Sequence, residues 1–388
     1  MTKSFQMIHT PSALQDMADR VRGESCMALD TEFVWDRTYY ARLGLVQVGL
    51  SDGTCYLMDP LALPDLGVLG AWLADERILK ILHDSPQDLM ILQRATGMAA
   101  RSVFDTRMAA GFAGLESTLS LGRLLEELLG VHLEKAHTRA DWTSRPLSPE
   151  ELEYAADDVR YLPRAAGCLR ERAQSAGTEA WLNEELAALN AESTYGEKPP
   201  EEAYLRIRAA ASLSPRQRAV LRELASWRER EARQRDLPRR WLIEDRDLMD
   251  MAMAMPGPQD ALPVSSRTIQ RHEPALREAI RRGREVPDAD CPPPVFQAER
   301  DAASRKAVDS AMAGIQRHAA VRKIDPALVC SRTEMAMLLQ GGGGTGGEAH
   351  RLRGGWRAAF LREAGVSLPP ADASARSLGM TFQLPGMT

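Results

Sequence analysis

Apolar residues form three short runs between residues 23 and 60, and each run ends at turn-forming residues. This pattern predicts strands at Ser25–Phe33, Leu43–Leu50 and Thr54–Met58. The turn signals are Ser51-Asp52-Gly53 and Asp59-Pro60. The first part of the chain therefore begins as a cluster of strands.

Helical and strand-like stretches then alternate as far as Leu129. We predict a helix near Leu66–Ala74, a strand at Ile78–Leu82 and a helix that opens at Pro86, because proline suits the first helical turn. A further short strand is expected at Ser102–Phe104. Strands that alternate with helices predict an α/β layer structure.

A strong helix-start signal lies in the stretch LSPEELEYAADDVRYL. Ser148 is a good N-cap, Pro149 follows at the first helical position, and Glu151 completes a capping box. We expect this helix to run to about Arg172.

The remainder of the chain is helical in period and is divided by proline-rich and glycine-rich stretches. GGGGTGG at 341–347 lacks the Lys-Ser/Thr of a phosphate-binding loop and is interpreted as a flexible loop. We predict an α/β domain (1–192), a linker (193–209), a small helical domain (210–286), a second linker (287–296), a divergent second helical domain (297–372) and a tail (373–388).

The net charge of −5 conceals an acidic first half and a basic second half. Residues 1–200 carry 30 acidic and 19 basic residues, whereas residues 201–286 and 287–388 have net charges of +4 and +2. This asymmetry favours a polyanionic partner for the helical half.

Cysteine usage and the N-terminus predict a cytoplasmic protein with no membrane association. The five cysteines are scattered without a CxxC pair, which is not typical of a zinc site or a disulfide framework. MTKSFQMIHT lacks the apolar core of a signal peptide, and no apolar run reaches membrane-spanning length.

Two carboxylates in a buried strand are the first candidate site. Asp30 and Glu32 lie one residue apart in MALDTEF, so both side chains point to the same face of the strand. Like charges at this distance repel unless a cation neutralises them, and Mg²⁺ and Mn²⁺ prefer such oxygen ligands. A solvated strand end is the alternative interpretation.

Two later segments add candidates at matching places in the predicted fold. Asp88 lies in the first turn of the helix opened by Pro86, at the carboxyl end of a strand. Tyr154 and Asp158 lie four residues apart on the capped helix, hence on one face. Asp157 is also available, and the spacing only mildly favours Asp158.

In this order, Asp30-x-Glu32, Asp88 and Tyr154-x-x-x-Asp158 resemble the DEDD exonucleases of the tyrosine subclass. Glu153 stands five residues before Asp158, so the histidine subclass does not fit. The stretches LDTEF, LHDSPQDL, FDTRMAAGF and ADWTSRPLSPEELEYAADDVRYL resemble the bacterial ribonuclease D family within that subclass. The helical regions resemble its C-terminal HRDC domains, clearly at 210–284 and weakly at 295–370.

The resemblance implies a fold, a reaction and a set of roles. We expect a ribonuclease-H-like mixed sheet flanked by helices, followed by two small all-α, HRDC-like domains. The implied activity is 3′→5′ exoribonuclease cleavage with two divalent ions (Mg²⁺ or Mn²⁺), releasing 5′-mononucleotides, in tRNA 3′ maturation. The expected ligands are Asp30, Glu32, Asp88 and Asp158, and Tyr154 is expected to position water.

Further residues are candidates for contact with RNA, and no protein partner is inferred. Charged residues interleaved with an aromatic ring are typical of contacts with a single strand. Arginines of the first helical domain are further candidates. A solvated or salt-bridged face is the alternative interpretation. The candidates are Lys135, Arg139, Trp142, Arg145, Arg216, Arg228 and Arg239. A DNA 3′→5′ exonuclease and a catalytically silent RNA-binding protein remain alternative functions.

Overall fold

A six-stranded mixed sheet organises the first part of the chain. The computed structural model describes residues 5–133, 140–264, 266–292, 302–339 and 351–368. The strand order is β1-β4-β3-β2-β5-β6, and β3 is antiparallel to both of its neighbours, while the other pairs are parallel. The strands are β1 (Phe5–Ile8), β2 (Cys26–Val34), β3 (Arg42–Gly49), β4 (Cys55–Met58), β5 (Leu79–Leu82) and β6 (Val103–Asp105).

Helices pack around this sheet and form the α/β domain with it. The α-helices of this domain in the described residues are α1 (Pro11–Val21), α2 (Gly67–Ala74), α3 (Pro86–Thr96), α4 (Thr106–Phe112), α5 (Leu121–Leu129), α6 (Pro149–Arg160), α7 (Leu162–Ala176), α8 (Glu179–Ala188) and α9 (Glu192–Tyr195).

Two all-α units follow. The first helical unit comprises α10 (Pro215–Arg235), α11 (Arg239–Leu242), α12 (Asp245–Ala254) and α13 (Arg267–Glu285), preceded by 3₁₀ turns at Pro200–Arg206 and Arg208–Ser212 and followed by another at Asp288–Asp290. The second helical unit comprises α14 (Ala302–Arg322), α15 (Arg332–Leu339) and α16 (Gly355–Glu363), with 3₁₀ turns at Pro326–Leu328 and Arg351–Arg353.

The α/β prediction is confirmed, with two additions and one correction. β1 and α1 precede the stretch in which the sequence pattern predicts strands. The capping box at Ser148 and Glu151 is present, but the prediction of one helix to Arg172 is wrong. The helix ends at Tyr161, and a new helix, α7, begins with Pro163 in its first turn. Proline ends the first helix because it lacks an N–H donor and its ring clashes with the preceding helical turn.

The first helical unit has its own hydrophobic core, built mainly on α10 and α13. Ala203 and Ile207 fall in the predicted linker, yet both are buried in this core. The chain before α10 is therefore packed against the unit that it precedes.

The second helical unit shares its core with the α/β domain. The Trp356 ring stacks on Trp181 with centroids 5.5 Å apart and meets Phe112 edge-on at 5.2 Å. Arg357 is ion-paired with Glu185 of α8. This unit therefore packs against the α/β domain through a common core. The glycine-rich stretch 341–347 and the tail 373–388 lie outside the described residues.

Candidate active site

The central strand β2 holds the first two carboxylates. Asp30 lies opposite Gln47 of β3 and Glu32 lies opposite Leu45, and β2 pairs with β5 on its other side. The register shifts between Glu32 and Phe33, and such bulges re-aim side chains beside active sites. Both carboxylates thus stand on backbone that is paired with β3, and the β5 pairing holds β2 just before them, at Cys26–Ala28.

Helix α6 brings Asp158 to the strand carboxylates. A Cβ atom at Gly49 would lie 2.5 Å from the Val159 carbonyl oxygen, so only glycine lets α6 approach β3 this closely. One oxygen from each of Asp30, Glu32 and Asp158 lies within 4.8 Å of the others. We call these three residues and Asp88 the carboxylate cluster.

The structure shows which of the two neighbouring aspartates, Asp157 or Asp158, lies with the other carboxylates. Asp157 is buried and ion-paired with Arg160 at 2.9 Å. Its carboxylate therefore has a structural partner within α6. Asp158 is the one that meets Asp30 and Glu32.

Asp88 joins the cluster by a different route. It lies in the first turn of α3 and is buried. The Thr31 hydroxyl donates a hydrogen bond of 2.5 Å to it. Asp88 also raises the pKa of Asp30 through charge repulsion, so the two carboxylates are near enough to interact.

The cluster is short of positive charge. Burial and then the neighbouring carboxylates raise the pKa of Asp30 well above its usual range and that of Glu32 to about 8. Burial is also the main cause that raises the pKa of Asp158 to about 7 and that of Asp88 to about 6. Over the described part of the chain, no Lys, Arg or His nitrogen lies within 4 Å of these carboxylates.

The donor set fits divalent metal ions. Hard cations such as Mg²⁺ take carboxylate oxygens, and one buried and three half-buried carboxylates this close together would be expensive to ionise without them. Beside Asp30, the amide of Gln47 is fully buried, and neither its nitrogen nor its oxygen has a hydrogen-bond partner among the described residues. A hydrated metal site would offer such a group a water.

Tyr154 lies next to Asp158 on the same face of α6, and its hydroxyl is hydrogen-bonded to that carboxylate. Burial and the surrounding carboxylates raise the pKa of Tyr154 far above its usual value. The phenol therefore stays protonated at neutral pH and cannot act as a base. The Trp142 ring lies 6.2 Å from the Tyr154 ring, centroid to centroid, and supports it from the side.

The structure corrects two of the predicted RNA contacts. Trp142 is only 3% exposed and packs inside the α/β domain. Arg228 is 4% exposed, and its guanidinium donates to the Ile243 carbonyl and to Asp245. Neither side chain is available to nucleic acid, because each is already enclosed by the protein.

The other predicted RNA contacts differ in how far the protein itself already binds their side chains. Arg145 donates to both oxygens of Asp59 at 2.7 Å and to the Gly44 carbonyl, which anchors the loop before α6. Arg216 binds the end of α13 through the carbonyls of Arg284 and Val286 and through Asp288. Arg239 remains about one-third exposed beside Glu229. Lys135 and Arg139 lie outside the described residues.

Sequence reasoning missed Thr31 and Gly49. In the sequence, Thr31 stands out as a hydroxyl residue between two acidic strand residues. Its hydrogen-bond acceptor, however, lies on a helix 57 positions later. Gly49 is visible only as a glycine at the end of an apolar run. His83, which is next to the site in sequence, has structural partners in Thr106 and the Leu119 carbonyl.

Family comparisons agree with this geometry. The profile described as 3′-5′ exonuclease matches residues 5–173, and the HRDC domain profile matches residues 217–263 within the first helical unit. Fold, carboxylate cluster and profile together define a 3′-5′ exonuclease.

Individual relatives show which kind of 3′-5′ exonuclease this chain is similar to. The chain is 36% identical to ribonuclease D of Desulfotalea psychrophila over 93% of this chain and 97% of that protein. It is 35% identical to ribonuclease D of Escherichia coli strain K12 over 87% and 90% of the two chains. The crystal structure of Escherichia coli RNase D superposes with a TM-score of 0.82 at 32% identity, covering 93% of this chain and 97% of that one.

The chain belongs to the ribonuclease D family. It is a metal-dependent 3′-5′ exoribonuclease, and its substrate is RNA. The predictions of fold class, family and enzyme activity are confirmed. Among the described residues, no helix combines the length and apolar character needed to cross a bilayer.

Proposed function

We propose that this chain removes nucleotides from RNA 3′ ends at two divalent ions, Mg²⁺ or Mn²⁺, and releases 5′-mononucleotides. The carboxylate cluster carries the proposal, with Asp30, Glu32, Asp88 and Asp158 as ligands. These residues would hold the ions, which would supply charge stabilisation for the attacking and leaving oxygens of an in-line displacement. Four ionised carboxylates carry a charge of −4, which balances the +4 of two such ions.

Tyr154 is proposed to orient the attacking water. Its raised pKa supports a role as a neutral hydrogen-bonding group rather than a base. The hydroxyl is held by Asp158 and the ring is supported by Trp142. A fixed phenol beside the ligands can therefore hold a water in line without changing its own charge.

The proposed physiological substrates are structured RNAs, with tRNA precursors as the class and the cytoplasm as the site of action. The Escherichia coli relative is described as an exoribonuclease involved in structured RNA processing. The net charges of +4 and +2 over residues 201–286 and 287–388 favour attraction of RNA to the helical units. All five cysteines are free thiols, as a reducing compartment requires.

Two alternatives give different results in one assay. RNA and the matching DNA, each labelled at the 3′ end, are incubated with Mg²⁺, with Mn²⁺ or with EDTA. The proposal predicts release of labelled 5′-mononucleotide from RNA with either metal, little release from DNA and none in EDTA.

Equal or faster release from DNA would favour the DNA exonuclease. Binding of RNA without release in any metal would favour a silent RNA-binding protein. Release of labelled oligonucleotides instead of mononucleotides would contradict the exonucleolytic direction.

A further inference from the structure

A cleft of about 670 Å³ lies between the α/β domain and the first helical unit. One wall consists of the loop that follows β2, including Trp35 and Tyr40, and of Met90 on α3. The opposite wall includes Arg206 and Arg239. We call this feature the interdomain cleft.

The interdomain cleft begins close to the carboxylate cluster. Trp35 follows Glu32 by three residues, which spans about 10 Å along extended chain. Arg94 lines the cleft and follows Asp88 by six residues, which spans about 9 Å along α3. The two elements that carry cluster residues therefore continue directly into the cleft wall.

The cleft is cationic although the domain beside it is acidic. Five cations line it against Glu197 and the adjoining Glu229, giving a net charge of +3; the cations are Arg94, Lys198, Arg206, Arg233 and Arg239. Residues 1–200 as a whole carry −11. A polyanion is therefore attracted to this part of the surface next to the active site more than to the rest of the domain.

Aromatic rings in the cleft are held in place before any ligand binds. Trp35 is 45% exposed, its indole N–H donates to the Tyr39 carbonyl at 2.8 Å, and its ring meets Phe33 edge-on. The Arg94 guanidinium lies 3.1 Å from the centre of the Tyr40 ring. Fixed aromatic faces beside arginines are the combination that binds single-stranded nucleic acid, because bases stack while phosphates pair with cations.

The loop of residues 35–41 also joins the two walls. The Tyr39 hydroxyl donates to Glu229 at 2.5 Å and accepts from Arg233 and Arg239. Glu229 is almost fully buried and forms ion pairs with both arginines. Arg206 lies at the edge of this network: it lines the cleft, is half exposed and is 3.7 Å from Glu229.

We propose that the interdomain cleft binds the single-stranded RNA segment on the 5′ side of the nucleotide being removed. A base stacks on Trp35, and phosphates pair with Arg206 and the neighbouring cations. The proposal rests on RNA hydrolysis at the carboxylate cluster. It makes the cleft the feature that distinguishes a long 3′ overhang from a very short one.

The first test compares Trp35→Leu with the matched control Trp241→Leu, since Trp241 is 57% exposed on α11 and does not line the cleft. KM and kcat are measured on a single-stranded RNA trinucleotide and nonanucleotide. Trp35→Leu should raise KM for the nonanucleotide about 10-fold, within the usual range for loss of one stacked base, with kcat unchanged. The trinucleotide and Trp241→Leu should be unaffected.

Unchanged KM for the nonanucleotide would overturn the proposal. An equal loss on both substrates would also overturn it, because Trp35 would then act by supporting β2. Wild-type cleavage of the trinucleotide reports on the proposed function separately, since that substrate does not need the cleft.

A second test does not depend on catalysis. Binding of a labelled nonanucleotide in EDTA is measured against salt for Arg206→Gln and for Arg246→Gln, an exposed arginine of α12 outside the cleft. Arg206→Gln should weaken binding and reduce the slope of log K against log salt by about 0.7, the value for one phosphate contact on a single strand. Equal slopes for the two variants and the wild type would contradict the proposal.

Discussion

The hydroxyl of Thr31 donates a hydrogen bond of 2.5 Å to the carboxylate of Asp88. This contact ties the strand that carries Asp30 and Glu32 to the helix that carries the fourth carboxylate. It also lowers the pKa of Asp88 and so opposes the effect of burial. Thr31 therefore keeps a buried acid closer to the ionised form that a metal ligand requires.

Replacing Thr31 with Val should weaken metal binding without removing a ligand. The variant removes the side-chain donor to the buried Asp88 and leaves only backbone donors, and hydrogen bonds to charged groups contribute about 1.5–3 kcal/mol. We expect the Mg²⁺ concentration for half-maximal activity to rise about 10-fold or more, with a larger rise at pH 6 than at pH 8. A metal titration of activity at both pH values checks this, and an unchanged midpoint would contradict it.

The neighbouring aspartates of α6 offer a matched pair of variants. Asp158→Asn should abolish nearly all RNA hydrolysis, and the metal-free protein should unfold at the same temperature or higher because a repelling charge is lost. Asp157→Asn should retain activity but lose about 1–3 kcal/mol of stability, since it breaks the buried ion pair with Arg160. Thermal unfolding in EDTA and activity in Mg²⁺ are the measurements. The reverse pattern would show that Asp157 is the ligand.

Tyr154→Phe keeps the ring and removes the hydroxyl. If that hydroxyl orients water, the single-turnover rate should fall by about 10²-fold, the size of effect expected when a reacting group loses its positioning. RNA affinity should change little. Weaker binding with a normal single-turnover rate would instead assign Tyr154 to substrate packing.

The carboxylate cluster makes the metal-free protein sensitive to rising pH. Burial, and to a lesser degree repulsion from neighbouring carboxylates, raises the pKa values of Glu32, Asp158 and Asp88 to about 8, 7 and 6, above the value near 4 of the unfolded chain. Protonation of these groups in the folded state therefore stabilises the fold. This stabilisation is complete below about pH 4 and is lost as pH rises through the folded pKa values. In EDTA, the melting temperature should fall between about pH 5 and pH 8.

Asp30→Asn should flatten that decline, and Mg²⁺ should oppose it, because metal binding displaces the same protons. Melting curves for the wild type and the variant, with EDTA and with Mg²⁺, provide the comparison. A melting temperature that rises over this range in EDTA would mean that the carboxylates are not destabilising when ionised.

The shared core predicts that the second helical unit and the α/β domain unfold together. Trp356→Ala should cost about 3–5 kcal/mol, the usual loss for a buried aromatic residue, because the side chain packs on both Trp181 and Phe112. Denaturant unfolding followed by far-UV circular dichroism should show one transition at lower midpoint. An unchanged midpoint for the bulk of the signal would indicate that the unit is independent.

Local signals account for the parts of the fold that the sequence predicted well. Ser148 and Glu151 specify a helix start through contacts three residues apart, and the capping box is present as expected. The two-residue spacing of Asp30 and Glu32 places them together without knowledge of the rest of the chain. The break at Tyr161 was missed although its signal is local, since Pro163 opens a new first turn.

Long-range packing accounts for what was missed. Nothing within a few residues of Arg228 indicates that its guanidinium meets the Ile243 carbonyl inside the first helical unit. Arginine-rich segments look alike in sequence whether they face solvent or their own fold. The contacts between Tyr39 and Glu229, 190 positions apart, depend on how two units pack.

Manganese sites can be located directly in crystals of the wild-type protein grown with Mn²⁺ and adenosine 5′-monophosphate. Anomalous diffraction should show two peaks about 3.5–4 Å apart, bounded by Asp30, Glu32, Asp88 and Asp158, with the nucleotide phosphate against them. Manganese bound only elsewhere, or a nucleotide bound with no metal at the carboxylate cluster, would contradict the account.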